Sequence, residues 1–268
     1  MRLPAYREDW PESWKISWQY DSEETGSCPS KLGYRFAYQC RFDRTIRLVR
    51  SAASPPATIL DVGAAQGTIS LALAELGYDV TWNDFRADLA GYVQEKHTAG
   101  LIRYLPGNVL EQVQGTRYDV IVATEVIEHV AHPDVFLRHL ATMLQSGGSI
   151  VLTTPNGDNF RNRLPRFSLQ SDLSAFEGDQ FKPDADGHIF LLYEGEIRAM
   201  AREAGLHVDS LELFQTHLAY GVELIAARGL RTARGRRLVE LADDRAVRLP
   251  WVGPKLAVQL AARLMASV

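Results

Sequence analysis

Short apolar runs alternate with amphipathic segments through the middle of this chain of 268 residues. The run of Ile59, Leu60 and Val62 is typical of a strand buried on both faces of a sheet. Gly77 stands where a helix would end. The alternation predicts a doubly wound α/β fold with a mainly parallel sheet. It places strands near 58–62, 79–83, 102–105, 119–123 and 149–154, and helices near 68–76, 88–98 and 133–144.

The second half of the chain predicts a long loop and two more strands. Residues 157–187 are polar, and a loop of this length usually serves as a lid or a binding element. Residues 194–204 have a helical pattern, while 206–214 and roughly 222–227 alternate as two antiparallel strands. Together with the first five, these strands predict a seven-stranded, Rossmann-like sheet.

The two ends of the chain differ from the middle. Residues 1–54 are rich in tryptophan and tyrosine, with a predicted helix at 34–50, and we interpret them as a cap beside a ligand cleft. Ordinary aromatic packing on the domain surface is the alternative. The predicted division is therefore a cap at 1–54, a core domain at 55–227 with the lid-like insertion 157–187, and a helical extension at 228–268.

The C-terminal extension carries a charge that the core lacks. Residues 61–227 hold 23 acidic and 11 basic side chains, whereas residues 228–268 hold 3 acidic and 9 basic ones. Leu256, Leu260 and Leu264 would share one face of a helix. Such a basic amphipathic helix suits peripheral contact with an anionic membrane. We favour the alternative that it packs on its own domain or on a second subunit in a homodimer.

Bulk composition excludes several classes of protein. A net charge of −4 gives no reason to expect general nucleic-acid binding. Cys28 and Cys40 form neither a disulfide framework nor a metal-binding spacing, which fits a cytoplasmic location. The N-terminal segment has no apolar core of the kind a signal peptide needs, and no apolar run is long enough to span a membrane.

A glycine-bearing turn follows the first predicted strand. Gly63 and Gly67 allow backbone to approach a ligand closely, and the next helix directs its amide groups toward it. A nicotinamide-binding turn needs glycines at its first, third and sixth positions, and here Ala65 and Thr68 occupy the third and sixth. The turn therefore fits an adenosine ligand without a pyrophosphate better than a dinucleotide.

Two polar residues follow the next two strands. Asp84 stands where a carboxylate can accept hydrogen bonds from both hydroxyls of a ribose. Asn108, between Gly107 and Val109, could contact an adenine amine or could simply close a turn. Its position one strand after Asp84 favours the adenine contact.

The fourth predicted strand ends in the sequence TEVIEHV. Ligands of open α/β sheets bind beyond the carboxyl ends of the strands. Glu125, Glu128 and His129 are therefore expected at the mouth of the cleft, and they share one face if a helical turn begins there.

These motifs have the order and spacing of the class I S-adenosylmethionine-dependent methyltransferases, which the chain resembles over residues 55–227. It resembles most the branch with EVIEHV after the fourth strand. That branch contains quinone-biosynthesis O-methyltransferases, natural-product and sugar methyltransferases, and small-RNA 3′-end 2′-O-methyltransferases. The fifth strand with its following loop, SIVLTTPN, and the segment from Gly187 to Phe190 also resemble the family.

The resemblance implies S-adenosylmethionine as the cofactor and S-adenosylhomocysteine as the product. Asp61 and Gly63 would bind the methionine end, Asp84 the ribose, and Phe85 the adenine face. Asn108 stands where many relatives have Asp, and Ala65 replaces a frequent glycine, which is tolerable if its φ is negative. The implied cofactor-binding residues are Asp61, Gly63, Ala65, Gly67, Asp84, Phe85, Asn108, Val109 and Thr124.

Methyl transfer to a hydroxyl needs alignment of the acceptor and removal of its proton. A neutral histidine can take that proton, and the resemblance places His129 and His188 at the cleft. In the quinone and small-RNA branches, the positions of Glu125, Glu128, His129 and His188 are ligands of a divalent metal. We favour a histidine acting without a metal, or a metal-free positioning role; simple packing of His129 is a further alternative.

The combined interpretation is O-methylation of a small-molecule hydroxyl in a natural product, a sugar or a quinone precursor. Residues 1–50 and 157–187 are expected to shape the acceptor pocket. The alternatives are a small-RNA 2′-O-methyltransferase, an N-methyltransferase of a small amine, a nicotinamide oxidoreductase, and a non-catalytic cofactor-binding protein. The acidic core argues against the first, and the missing sixth-position glycine argues against the oxidoreductase.

Overall fold

The computed structural model describes residues 1–25, 31–112, 115–180, 187–217 and 230–266. These residues form a seven-stranded sheet with the strand order β3-β2-β1-β4-β5-β7-β6. Strands β1 to β5 pair in parallel, and β7 runs antiparallel to both of its neighbours. The strands are β1 (Thr58–Val62), β2 (Asp79–Asp84), β3 (Leu101–Pro106), β4 (Tyr118–Thr124), β5 (Leu144–Pro155), β6 (Leu206–Thr216) and β7 (Ala257–Ala266).

Helices cover both faces of this sheet. Short 3₁₀ turns lie at Ile127–His129, Phe167–Leu169 and Ser174–Asp179. The α-helices are α1 (Glu12–Thr25), α2 (Leu32–Ala52), α3 (Thr68–Glu75), α4 (Leu89–Lys96), α5 (Val109–Gln112), α6 (Pro133–Thr142), α7 (Glu194–Glu203), α8 (Ala233–Val247) and α9 (Gly253–Leu256).

Two apolar clusters flank the sheet, one on each face. On one face α2 packs on β4 and β5 while α3 packs on β2 and β3. Val49, Leu73, Ile59 and Val122 belong to the buried cluster on this face. On the other face α6 and α7 cover the sheet, with Leu137 among the fully buried side chains. Because both faces are covered, the central strands are apolar at nearly every position, which confirms the predicted fold class.

The five strands predicted in the first half of the chain are present, and the predicted helices between them begin within one residue of the expected positions. β5 begins earlier than expected, at Leu144, and α1 is a helix that the sequence pattern did not indicate. The predicted strand at 222–227 lies outside the described residues.

The prediction of an amphipathic helix near the C-terminus is wrong. Ala257–Ala266 is strand β7, inserted between β5 and β6. Leu260 and Leu264 pack on one face of the sheet and Ala261 on the other, all fully buried. Alanine and leucine favour helices, but burial on two faces overrides that propensity. The basic extension therefore contributes a helix, α8, and also a central strand of the sheet.

The N-terminal segment packs on the core through aromatic and polar contacts. Trp10 and Trp14 each lie edge-on to Tyr92 of α4, with ring centroids 5.9 Å apart. Trp14 also donates its Nε1–H to the Asp88 carbonyl at 2.8 Å. Helix α1 also contacts the glycine turn, because Glu24 accepts from the Gln66 side chain at 3.2 Å.

Candidate active site

The glycine turn between β1 and α3 has a left-handed backbone at three positions. The φ angles of Gly63, Ala65 and Gly67 are 63°, 46° and 73°. A Cβ on Gly63 would lie 2.7 Å from Val126 Cγ2, and one on Gly67 would lie 2.6 Å from Val93 Cγ1. The two glycines are thus required both for conformation and for close packing.

Ala65 does not have the negative φ that would make its methyl group easy to accommodate. A left-handed alanine costs on the order of 1 kcal/mol. The amide of Ala65 donates to Asp84 Oδ2 at 2.8 Å, and its carbonyl accepts from Trp82 Nε1 at 3.0 Å. These two bonds hold the strained turn against the end of β2.

Asp61, at the end of β1, is a buried carboxyl group below this turn. Ser70 of α3 donates to its Oδ2 at 2.5 Å, while Oδ1 has no hydrogen-bond partner among the described residues. Burial raises the pKa of Asp61 to about 7, and the nearby charge of Asp84 adds to the rise. An unsatisfied acceptor in this position is suited to receive a donor from a ligand.

Asp84 ends β2 beside the turn, as predicted. Its two oxygens accept the Ala65 amide and, at 2.9 and 3.0 Å, the backbone amide and Nε of Arg86. The carboxylate is buried, whereas the neighbouring Phe85 is 62% exposed. Phe85 is therefore accessible to a flat ligand, and Asp84 is already held in a fixed orientation.

Asn108 caps the short helix α5. Its Oδ1 accepts from the Leu110 amide at 3.1 Å, and its Nδ2 donates to Glu111 Oε1 at 2.8 Å. The Asn108 side chain thus bonds within its own turn, which is the alternative role considered from the sequence. Its contact with adenine stays a prediction. Val109 is buried.

Glu125 lies just beyond β4 in a left-handed conformation, with φ of 54°. Its Oε1 accepts from Thr153 at 2.8 Å, and its Oε2 accepts from Gln259 at 3.0 Å and from Arg41 at 3.3 Å. A non-glycine residue in this region is strained, and strain of this kind concentrates at functional sites. Thr124, the last residue of β4, precedes it.

Glu128, His129 and His188 come together next to Glu125. One potential ligand atom from each lies within 4.8 Å of the other two. The rings of His129 and His188 are 4.8 Å apart, and His188 Nε2 is 4.0 Å from Glu128 Oε1. The backbone fixes this arrangement, because the Ile189 amide donates to the Glu128 carbonyl at 2.8 Å.

Glu128 is fully buried, and burial raises its pKa well above the ordinary value, with the charge of Glu125 adding to the rise. Thr154 donates to its Oε2 at 3.0 Å, while Oε1 has no hydrogen-bond partner within the described part of the chain. One carboxylate oxygen and two imidazoles are a donor set that a divalent metal accepts. Of the four residues that the metal alternative would use as ligands, the structure groups three, and Glu125 is engaged by Arg41 and its neighbours.

A cavity of about 530 Å³ reaches this cluster at His188. Its walls come from α2, from the loop after β5 and from β7, and both Glu125 and His188 face it. Arg41 and Gln259, which hold Glu125, also line it. Sequence reasoning missed both, because no local motif marks a residue of α2 or β7 as a neighbour of β4.

Comparison with known proteins agrees with this geometry. A family model described as a methyltransferase domain matches residues 34–211. The chain belongs to this methyltransferase family. Membership confirms the predicted class I fold and the predicted cofactor, S-adenosylmethionine.

The relatives in this methyltransferase family include enzymes of quinone synthesis. A ubiquinone biosynthesis O-methyltransferase of Bradyrhizobium diazoefficiens is 32% identical over 133 residues, covering 48% of this chain and 51% of that protein. Its counterpart from Nitrosospira multiformis is 30% identical over 189 residues, covering 68% and 71%. The matched segment thus spans only about half of the first of these relatives.

A solved structure shows the same fold. Magnesium protoporphyrin IX methyltransferase from Synechocystis PCC 6803, with bound S-adenosylhomocysteine, superposes with a TM-score of 0.59 at 14% identity, covering 96% of this chain and 95% of that one. Among the described residues of the present chain, none of the helices combines the length and the apolar character that a membrane span requires.

Proposed function

We propose that this protein transfers the methyl group of S-adenosylmethionine to a hydroxyl of a small molecule. The observation that carries the proposal is the cluster of Glu128, His129 and His188 beyond the carboxyl end of β4, because its member His188 lines a cavity of about 530 Å³. The names of its relatives support a phenolic quinone precursor as one acceptor. A cavity of this size suits a small ligand.

The cofactor would lie across the ends of β1 and β2. In this proposal the unpaired Asp61 oxygen receives the methionine ammonium, Asp84 accepts from the ribose, and exposed Phe85 covers the adenine. The prearranged Ala65 amide holds the Asp84 carboxylate in place before the cofactor binds. Gly63 and Gly67 keep side chains away from the ligand.

The chemical step is a displacement at the methyl carbon. The acceptor oxygen forms the new bond to carbon as the bond from carbon to sulfur breaks, and sulfur keeps the electron pair in the neutral product. The acceptor proton passes to an imidazole nitrogen of His129 or His188. Such a base contributes about 10²- to 10⁴-fold, and alignment of the two reactants supplies the larger share.

A divalent metal is compatible with the same three residues. Glu128, His129 and His188 would hold it, and it would lower the pKa of an acceptor hydroxyl. Glu128 Oε1, which has no hydrogen-bond partner among the described residues, agrees with this role. Treatment with a chelator, followed by addition of Mg²⁺ or Zn²⁺, distinguishes the metal-dependent mechanism from the metal-free histidine base. Turnover that is lost with the chelator and restored by the ion indicates a metal. Turnover that the chelator leaves unchanged indicates a histidine base.

His129→Ala tests the catalytic assignment. We expect turnover with a panel of phenolic and sugar hydroxyls to fall by about 10²-fold or more, with affinity for S-adenosylhomocysteine unchanged. His132→Ala is the matched control, because that half-buried ring pairs with Glu177 at 2.9 Å and lies outside the cluster. Full activity of the His129 variant would reject the role of this histidine.

Asp84→Ala tests the cofactor assignment. The variant should lose affinity for S-adenosylhomocysteine by at least about 100-fold, because hydrogen bonds to a charged group are worth roughly 1.5–3 kcal/mol each. Circular dichroism should show an intact fold. Calorimetric titration that gives wild-type affinity would rule out a ribose contact by Asp84.

A further inference from the structure

The cavity that reaches Glu125 and His188 is also lined by three arginines, Arg41, Arg161 and Arg163. Arg41 is paired with Glu125 at 3.3 Å. Arg161 and Arg163 differ, because no carboxylate oxygen of the described residues lies within 4 Å of either guanidinium. Among the described residues, these two cationic side chains therefore have no acidic partner, and both line the space that the acceptor would occupy.

A chain of hydrogen bonds holds Arg161 in place. Its guanidinium donates to His217 Nδ1 at 3.4 Å, and His217 Nε2 donates to Asn159 Oδ1 at 3.2 Å. Asn159 in turn donates its amide to the Ala257 carbonyl at 2.9 Å. An arginine can only donate, so His217 must be the neutral tautomer with its proton on Nε2. Burial and the charge of Arg161 lower the pKa of His217, which agrees with this tautomer.

Arg163 is anchored by its own loop. One guanidinium nitrogen donates to the Phe160 and Asn162 carbonyls at 3.0 and 2.9 Å. The loop is fixed in turn, because the Phe160 amide donates to the Lys255 carbonyl at 3.0 Å. Each of the two arginines thus commits one nitrogen to the protein. Their other N–H groups have no hydrogen-bond acceptor among the described residues.

This arginine pair lies at the same edge of the sheet as the catalytic cluster. Arg161 and Arg163 follow the carboxyl end of β5, and His217 follows the carboxyl end of β6, which runs in the same direction as β5. A held guanidinium with free donors is the group that proteins use to bind carboxylate and phosphate.

We infer that the methyl acceptor carries a carboxylate or phosphate group that Arg161 and Arg163 bind while its hydroxyl lies at Glu125 and His188. The inference rests on the proposed function, since it names the substrate class of the same site. It narrows the phenolic acceptors of the proposed function to those that carry such an anionic group. It also assigns Asn159 and His217 as positioning residues for Arg161.

Matched pairs of probes test the inference by calorimetry in the presence of S-adenosylhomocysteine. One pair is 3,4-dihydroxybenzoate and 3,4-dihydroxybenzamide; the other is glucose 1-phosphate and methyl glucoside. We expect at least one charged probe to bind about tenfold or more tightly than its neutral partner. The double variant R161Q/R163Q should remove that preference while affinity for S-adenosylhomocysteine stays the same.

Arg138→Gln is the control, because this exposed arginine pairs with Asp134 within α6, away from the cavity. It should keep the full preference for the charged probes. Equal binding of charged and neutral probes would overturn the inference, as would a preference that survives in the double variant. His217→Ala should weaken the preference without abolishing it, and His217→Gln should restore part of it.

A lipid headgroup offers the same chemistry as a soluble phosphate. Vesicles of phosphatidylglycerol and of phosphatidylcholine separate the two sources. Arginine-dependent sedimentation with anionic vesicles, without any preference among the soluble probes, would contradict a soluble acceptor. These measurements need no methyl transfer. A charge preference in an inactive protein would therefore refute the proposed function alone.

Discussion

Replacing Asp61 by asparagine should make the unliganded protein less sensitive to rising pH. Burial raises the pKa of this carboxyl group from 3.8 to about 7, so the folded protein keeps a proton that the unfolded chain has already lost. Between these values the native state binds more protons, and stability falls as pH rises. The stabilising contribution is complete below pH 4 and is lost as pH passes 7.

The size of the effect follows from the two pKa values. Each pKa unit corresponds to about 1.36 kcal/mol, so ionised Asp61 costs the fold on the order of 4 kcal/mol above pH 8. The asparagine side chain of the variant would carry no charge at any pH. Its oxygen could still accept from Ser70, which lies 2.5 Å from Asp61 Oδ2. The variant should therefore equal wild type near pH 4 and exceed it increasingly up to pH 8.

Urea denaturation at five values between pH 4 and 9 measures this difference. Glu24 and Glu128 also have raised pKa values, so wild-type stability will fall for several reasons. Only the difference between variant and wild type isolates Asp61. Asp158→Asn, at an exposed position, is the control and should give a flat difference. A flat difference for Asp61→Asn as well would refute the account.

Two further substitutions test the packing around the glycine turn. Gly67→Ala should destabilise the protein by at least about 2 kcal/mol and reduce affinity for S-adenosylhomocysteine, because the new methyl would overlap Val93. Gly147→Ala is the control, because Gly147 also has a positive φ but open space around it, and this variant should lose only about 1 kcal/mol of stability. Equal losses of stability for the two variants in urea denaturation would exclude an overlap with Val93. Lys96→Met should lower the free energy of unfolding by roughly 3–5 kcal/mol, because it leaves the buried Asp21 carboxylate without its cation. Adding Asp21→Asn should recover part of that loss. A double variant as unstable as Lys96→Met would contradict the pairing.

Strands that are buried on both faces could be located from the sequence alone. Apolar runs such as the one at Val120 to Val122 leave few alternatives when Gly77 and similar breaks set their limits. The same rule failed for β7, where Leu260, Ala261 and Ala262 also form an apolar run. Alanine and leucine suit a helix equally well, and the partner strands that decide the matter lie far away in the chain.

Site residues on one local motif were also predictable. Glu128 and His129 follow β4 directly, and the expected meeting with His188 occurs. The groups that orient Glu125 were not predictable, because Arg41 and Gln259 come from the cap and from β7. A sequence pattern reports what a residue's own element does, whereas the partners of a buried charge depend on which elements pack together.

Buried polar and charged side chains join the N-terminal cap to the glycine turn. Lys96 donates to Asp21 of α1 at 2.6 Å and to the Gln66 carbonyl of the turn at 2.8 Å, and Gln66 donates to Glu24 of α1 at 3.2 Å. Opening the cap would separate Asp21 from Lys96 and Glu24 from Gln66, at a cost of several kcal/mol for the ion pair alone. We infer that the cap is a fixed wall of the proposed cofactor site. In this proposal the acceptor reaches the methyl group through the arginine-lined cavity between α2, the loop after β5 and β7.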